Sequence, residues 1–165
     1  CTAILRENNY SKRDEDLKMG DYKKIDKSHY LSQYEVQIPN WIGNLSPLTP
    51  FSSWASGNSL AWYQTYNQTK HDRHKNFEKA QFGSLIEAVC GLAALIASQF
   101  WKCDFASSGT CLEISSCSQN DGFESSIGGF FRIKYPSLIE PSKQYNFDYE
   151  DIDFTKDIFQ KNVYT

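Results

Sequence analysis

The chain has 165 residues, a length that one domain commonly has and that is enough to bury a core. Charged residues make up 22% and aromatic residues 15% of it, which is typical of a globular protein rather than a disordered one. The formal net charge of -3 excludes a protein whose whole surface is a basic footprint for nucleic acid or anionic membrane, so any polyanion site must be local.

In chain order, residues 1–29 are rich in charges of both signs, and their apolar residues follow neither a helical nor a strand period. This pattern predicts a solvated, flexible lead-in. From there Tyr34, Val36 and Ile38 alternate with polar residues, which predicts a short half-buried strand ended by Pro39.

Two helices are predicted in the middle of the chain. The first covers about residues 59–70, with Asn58 or Ser59 as its cap. The second covers about residues 77–101, where apolar residues recur at steps of three and four. Because these residues surround the helix after Ile86, we expect its second half to be buried on more than one face.

We expect this long helix to be a core helix with no membrane contact. Its most apolar run, Val89 to Ala97, covers nine residues, whereas a bilayer span needs about twenty.

After the long helix, Phe131, Ile133 and Tyr135 alternate with Arg132 and Lys134, which predicts a strand in a hairpin-like unit. The sequence also suggests a strand at residues 112–114 and a turn at residues 120–122. Residues 145–165 form an acidic and aromatic tail without a period. The prediction is therefore one α+β domain over residues 1–165: a long buried helix packed on the preceding helix, with short strands on either side.

The five cysteines are Cys1, Cys90, Cys103, Cys111 and Cys117. Their odd number and the position of Cys90 in an apolar helix favour a reducing compartment, so we expect a cytoplasmic protein. Because the chain begins at Cys1 rather than Met, an upstream segment such as a cleaved secretory leader stays an open alternative. The spacing of the last three cysteines fits no common zinc motif, and no cofactor-binding motif is present in the sequence. We expect neither a metal nor a cofactor.

The segment richest in chemistry is residues 62–80, which read WYQTYNQTKHDRHKNFEKA. From Lys70 to Lys79 it carries four positive charges against two negative ones, and it holds His71 and His74. The pairs Asn67 and His71, and Lys70 and His74, are each four residues apart, so on a helix each pair would share a face. This segment therefore predicts a local anion site.

The motif Asn67-x-x-x-His71 ahead of a long apolar helix resembles the HEPN superfamily, helical domains found in RNA-cleaving toxins, antiviral defence proteins and their inactive relatives. Members with ribonuclease activity often carry Arg-Asn-x-x-x-His, and here Tyr66 occupies the arginine position. The resemblance covers about residues 54–101, and the predicted strands are not part of a minimal HEPN domain.

This resemblance implies an RNA-binding protein or metal-independent ribonuclease of defence or RNA metabolism. His71 would be the catalytic acid and base, and Arg73 would approach the scissile phosphate from the next turn. The remaining substrate contacts would come from Tyr66, Asn67, Lys70, His74 and Lys75.

The alternative is a non-catalytic interaction protein. In that interpretation the polar segment makes buried hydrogen bonds, and the long helix forms the interface of a homodimer. Each candidate residue also has a structural explanation: His71 as a helix-end residue, His74 as surface charge and Tyr66 as part of the core. An exposed apolar stripe on the long helix would favour this alternative.

Overall fold

A long helix and both strands with an alternating pattern are present, and the charged N-terminal segment also takes up regular structure. A computed structural model describes residues 1–39, 41–42, 47–100, 120–137, 139, 153, 155 and 161–164. Its α-helices are α1 (Thr2–Glu7), α2 (Met19–Tyr22), α3 (Asp26–His29), α4 (Ala61–His71), α5 (Arg73–Asn76) and α6 (Phe82–Phe100). Its strands are β1 (Glu35–Gln37), β2 (Glu124–Ser126) and β3 (Phe131–Lys134). Short 3-10 turns cover Asp14–Asp16, Lys23–Ile25, Leu31–Gln33, Ser52–Trp54 and Phe77–Lys79. The α+β class is confirmed.

Helix α6 packs on α4, as predicted, but its burial is one-sided. The buried residues of α6 are all small: Cys90, Gly91, Ala93, Ala94, Ala97 and Ser98. The larger Leu85 and Leu92 are 56% and 58% exposed, so burial of the second half on more than one face is not found. Small residues let the helix backbone approach its neighbours closely, which explains why that face is the buried one.

Within the described part of the chain, α6 is the helix whose length and composition would allow it to cross a membrane. In the folded protein, 33% of the apolar stretch of α6 is buried. The apolar run considered in the sequence, Val89 to Ala97, covers only part of this helix. Polar residues separate it from Phe82, Leu85 and Phe100, which also belong to α6.

The start of α6 differs from the prediction. Phe77–Lys79 form a separate 3-10 turn, and the chain leaves helical geometry at Ala80 before α6 begins at Phe82. Lys79 donates from its Nζ to Gln68 Oε1 at 3.0 Å, and Asn76 Nδ2 donates to the Gln68 carbonyl at 3.2 Å. These hydrogen bonds keep residues 76–79 beside α4, so the chain changes direction before α6 begins. The predicted last residue, Trp101, lies outside the described residues.

Helix α4 begins without the predicted polar cap. Leu60 is the residue that precedes it, and no side chain makes a cap hydrogen bond there. Leu60 is buried, and Trp62 donates from its indole Nε1 to the Pro50 carbonyl at 2.8 Å. The start of α4 is therefore fixed by burial and by the Trp62 hydrogen bond rather than by Asn58 or Ser59.

The three strands form one antiparallel sheet in the order β1-β3-β2. Val36 lies opposite Ile133 in the register, and both side chains are fully buried, as the alternating patterns predicted. The β2–β3 turn falls at residues 127–130, where Ile127, Gly128 and Gly129 have positive φ. Residues 120–122 precede β2 instead, and the suggested strand at 112–114 lies outside the described residues.

The N-terminal segment differs from the expected flexible lead-in. Its short helices bury Ile4, Leu5 and Ile25 in the same core as Val36 and Ile133. Each element here has only three to six residues, which is too short for a helical period to appear in the sequence. Because charged residues surround them, the sequence did not show that these apolar residues belong to the core.

A buried carboxylate organises this charged segment. Asp21 accepts hydrogen bonds from the Tyr10 hydroxyl at 2.6 Å, the Lys12 Nζ at 2.8 Å and the Lys18 backbone N–H at 2.9 Å. These donors, led by Lys12, hold the pKa of the Asp21 carboxyl well below its usual range. Asp21 therefore joins α2 to the preceding loop.

We expect Asp21→Asn to lower the free energy of unfolding at neutral pH by about 2 kcal/mol, because it weakens charge-assisted hydrogen bonds at a buried site. The pKa of Asp21 is lower in the folded state, so its stabilisation is present above the unfolded-state pKa of about 4 and is lost as pH falls through the folded-state value. Urea unfolding between pH 7 and pH 2 should therefore show a shallower pH dependence for the variant.

Asp16→Asn is the control, because Asp16 is exposed and pairs with exposed Arg13. Its effect should stay below about 0.5 kcal/mol. An Asp21→Asn protein with the wild-type stability and pH dependence would contradict this role.

Candidate polyanion-binding site

The last two turns of α4 carry the first half of the predicted site. Tyr66, Lys70 and His71 are exposed, and Asn67 is half-buried. Asn67 and His71 are one helical turn apart and share a face, as predicted. The Lys70 Nζ lies 5.8 Å from the centroid of the Tyr66 ring, which itself lies 6.2 Å from the Tyr63 ring. The Tyr66 ring therefore lies between the Tyr63 ring and the Lys70 ammonium on the surface of α4.

Asp72 separates the two halves of the site. Its backbone, at φ -142° and ψ 74°, leaves helical geometry, and its side chain accepts a hydrogen bond from the Lys75 backbone N–H at 3.3 Å. Aspartate commonly caps a helix in this way. Lys70 and His74 therefore do not share a helix face, which corrects the prediction. His74 belongs to α5, together with Arg73 and Lys75.

The basic side chains of this region differ in what they contact. The Lys75 Nζ lies 3.5 Å from the Asp72 carboxylate, and the Lys79 ammonium is bonded to Gln68. Lys70, His71, Arg73 and His74 are exposed, and the side chains of these four make no hydrogen bond or ion pair with the described residues. We call these four residues the open basic set. Their charge is available to a bound anion.

The arrangement determines what the site can do chemically. Exposed cations along an open surface suit a ligand with several phosphates, because each contact displaces a counterion from the polyanion. The exposed imidazole of His71 can reach a hydroxyl or phosphate oxygen of a bound ligand and exchange a proton with it. Among the described residues, no three His, Cys, Asp or Glu side chains are grouped to hold a metal ion. Cys103, Cys111 and Cys117 lie outside the described residues.

A second polar cluster was not predicted from the sequence. The Ser28 hydroxyl lies 2.7 Å from Nδ1 of His29 and 2.6 Å from the Tyr164 hydroxyl. His29 is buried, and this burial lowers its pKa to about 4. Nothing in the local sequence marks the cluster, because Tyr164 comes from the far end of the chain. Its burial makes it part of the core, in contrast to exposed His71.

No family profile matches this chain, and neither the curated proteins nor the solved structures searched contain a match. The function must therefore be inferred from the residues and geometry described above.

We expect His29 to make stability depend on pH in a defined window. Its folded-state pKa of about 4 lies below the unfolded-state value, so the unfolded chain takes up a proton as pH falls from 6.5 to 4 while the folded chain does not. The free energy of unfolding should fall across this window by an amount on the order of 3 kcal/mol. His29→Gln, which cannot titrate, should flatten this part of a urea-unfolding profile.

His74→Gln is the matched control, because it removes an exposed histidine and should keep the wild-type slope. If the two variants gave identical profiles, His29 would not be the titrating group.

Proposed function

We propose that this protein binds single-stranded RNA through the open basic set at the junction of α4 and α5. The observation that carries the proposal is the exposure of Lys70, His71, Arg73 and His74, whose side chains make no hydrogen bond or ion pair with the residues that the structure describes. Such side chains contact phosphates without first giving up a bond inside the protein. The chain as a whole is acidic, so this local excess of cations directs a polyanion to one place on the surface.

The choice of RNA among polyanions has two supports. Tyr66 is 56% exposed beside Lys70, so its ring can stack on an unpaired base while the ammonium contacts a phosphate. The resemblance of Asn67 and His71 to the HEPN motif points to the same ligand. The exposed position of His71 also supports this function over a structural role for that residue.

We further propose that the bound RNA is cleaved without a metal ion. His71 would take the proton of the attacking ribose hydroxyl and later protonate the leaving oxygen. Arg73, on the next turn, would stabilise the charge at the scissile phosphate, the role that the arginine at the Tyr66 position has in active HEPN proteins. Asn67 would position the substrate from the face of α4 that it shares with His71. A cytoplasmic location fits this activity and the free thiols Cys1 and Cys90.

A second candidate function rests on a different part of the molecule. The outward side of α6 exposes Phe82, Leu85 and Leu92 to solvent. Exposed apolar patches of this kind commonly mark interaction surfaces. A non-catalytic interaction protein, the alternative from the sequence, therefore has direct support as well.

The binding proposal predicts that Lys70→Ala/Arg73→Ala weakens the affinity for a labelled single-stranded RNA on the order of ten-fold, measured by fluorescence anisotropy at low salt. The slope of log affinity against log salt should fall by about 1.4, since two phosphate contacts are lost. Lys18→Ala/Lys27→Ala removes two exposed lysines outside the site and is the control. Equal losses in both double variants would mean that binding follows overall charge rather than this site.

The cleavage proposal predicts that wild-type protein cuts a labelled RNA pool in EDTA and that His71→Ala reduces the rate by about 10² to 10⁴-fold. His74→Ala should keep most of the activity. Because His71 is exposed, His71→Ala should unfold at the wild-type temperature. RNA that is bound but not cut by the wild-type protein would remove the catalytic step and leave the binding function.

A further inference from the structure

The outward side of α6 is an apolar surface. We call Phe82, Leu85, Val89 and Leu92 the α6 outer face. Their exposed fractions are 63%, 56%, 40% and 58%. The small residues of the opposite side fill the interior of the fold. The Trp41 ring lies 5.7 Å from the Phe82 ring and covers part of it, whereas Leu85 and Leu92 stay more than half exposed.

The spacing of the α6 outer face identifies its partner. The steps from Phe82 through Leu85 and Val89 to Leu92 are three, four and three residues, and Ile96 continues the series. This is the a/d repeat of a coiled coil, with Phe82, Val89 and Ile96 at a and Leu85 and Leu92 at d. In a parallel pair, β-branched residues at a, here Val89 and Ile96, with leucine at d favour two strands over three or four. We propose that the α6 outer face forms a parallel two-stranded seam with the same helix of a second copy of this chain.

The residues beside the seam allow this pairing. Ala88, at the flanking position g, is small enough for two helices to approach closely on that side. Glu87 is the one charged residue of α6, and its heptad position is f, away from the seam. Within α6, therefore, no charge of one copy faces a like charge of the other across the seam.

The area of the surface determines how strong the dimer is. The α6 outer face exposes on the order of 400 Å² of apolar surface, so two copies bury about 800 Å² between these residues. Stable specific interfaces bury more than about 1,200 Å². The seam is therefore a reversible interface whose occupancy follows protein concentration, rather than an obligate one.

This inference deepens the second candidate function and does not depend on RNA binding. The first experiment is sedimentation velocity of the full chain over about 5 to 500 µM. The wild-type mass should rise from 19.0 kDa toward twice that value. Leu85→Glu and Leu92→Lys should each stay monomeric, with unchanged circular dichroism because both positions are exposed. Val163→Glu alters an equally apolar exposed residue outside α6 and should dimerise like the wild type.

The orientation is tested by mixing variants. In a parallel seam residue 85 meets residue 85 of the other copy, so Leu85→Glu mixed with Leu85→Lys should recover the dimer. In an antiparallel pair, residue 85 would lie near residue 92, and Leu85→Glu mixed with Leu92→Lys would recover it instead. That second result would overturn the parallel seam.

Two other results would overturn the second copy as the partner. One is a wild-type protein that stays monomeric over the whole range, and the other is a Leu85→Glu protein that dimerises normally. If the wild-type protein stays monomeric, flotation with neutral phosphatidylcholine vesicles tests whether the α6 outer face binds lipid instead. Vesicle binding lost in Leu85→Glu would assign the face to a lipid surface and keep an interaction role. No binding would remove the interaction function from this face.

Discussion

The fold depends on the close approach of the small-residue side of α6 to the aromatic cluster around Phe51. A Cβ atom at Gly91 would lie 3.5 Å from both the Phe51 ring and the Pro50 side chain, so the backbone of α6 is already in near contact there. The Phe51 ring lies 4.7 Å from Trp54 and 6.2 Å from Trp62 of α4. One contact region therefore fixes α6, the loop before α4 and α4 itself. It also decides which side of α6 remains outside.

The sequence predicted the existence of the main elements better than their burial. The three- and four-residue spacing identified α6, and the alternation around Val36 and Ile133 identified two strands, although it did not predict that they pair with each other. The same spacing could not show which side of α6 is buried, because apolar residues occur all around it. The buried side of α6 is the side on which its backbone comes closest to its neighbours, and glycine and alanine permit a closer approach than leucine does. The N-terminal core residues escaped notice for another reason, since Leu5 and Ile25 lie on elements too short to show a period.

The residues of the candidate site were predictable, but their grouping was not. Helical spacing correctly put Asn67 and His71 on one face and wrongly did the same for Lys70 and His74. The signal that distinguishes the two pairs is Asp72, an aspartate that ends one helix and caps the next through the Lys75 backbone N–H. Recognising it as a cap would have divided the site correctly. The exposure of His71 depends on tertiary packing, which no local pattern reports.

The two proposed surfaces belong to one helical hairpin, and this has an electrostatic consequence. The open basic set lies at the junction of α4 and α5, and residues 75–81 connect it to Phe82, the first residue of α6. In a parallel seam the first turns of both α6 helices lie side by side, so the basic segments of two copies approach each other from the same end. Their mutual repulsion opposes pairing, and a bound polyanion neutralises it. By linkage, a polyanion that favours the paired state is itself bound more tightly by the dimer than by the monomer. Dimerisation through the α6 outer face and polyanion binding at the open basic set would then be coupled, although each can occur without the other.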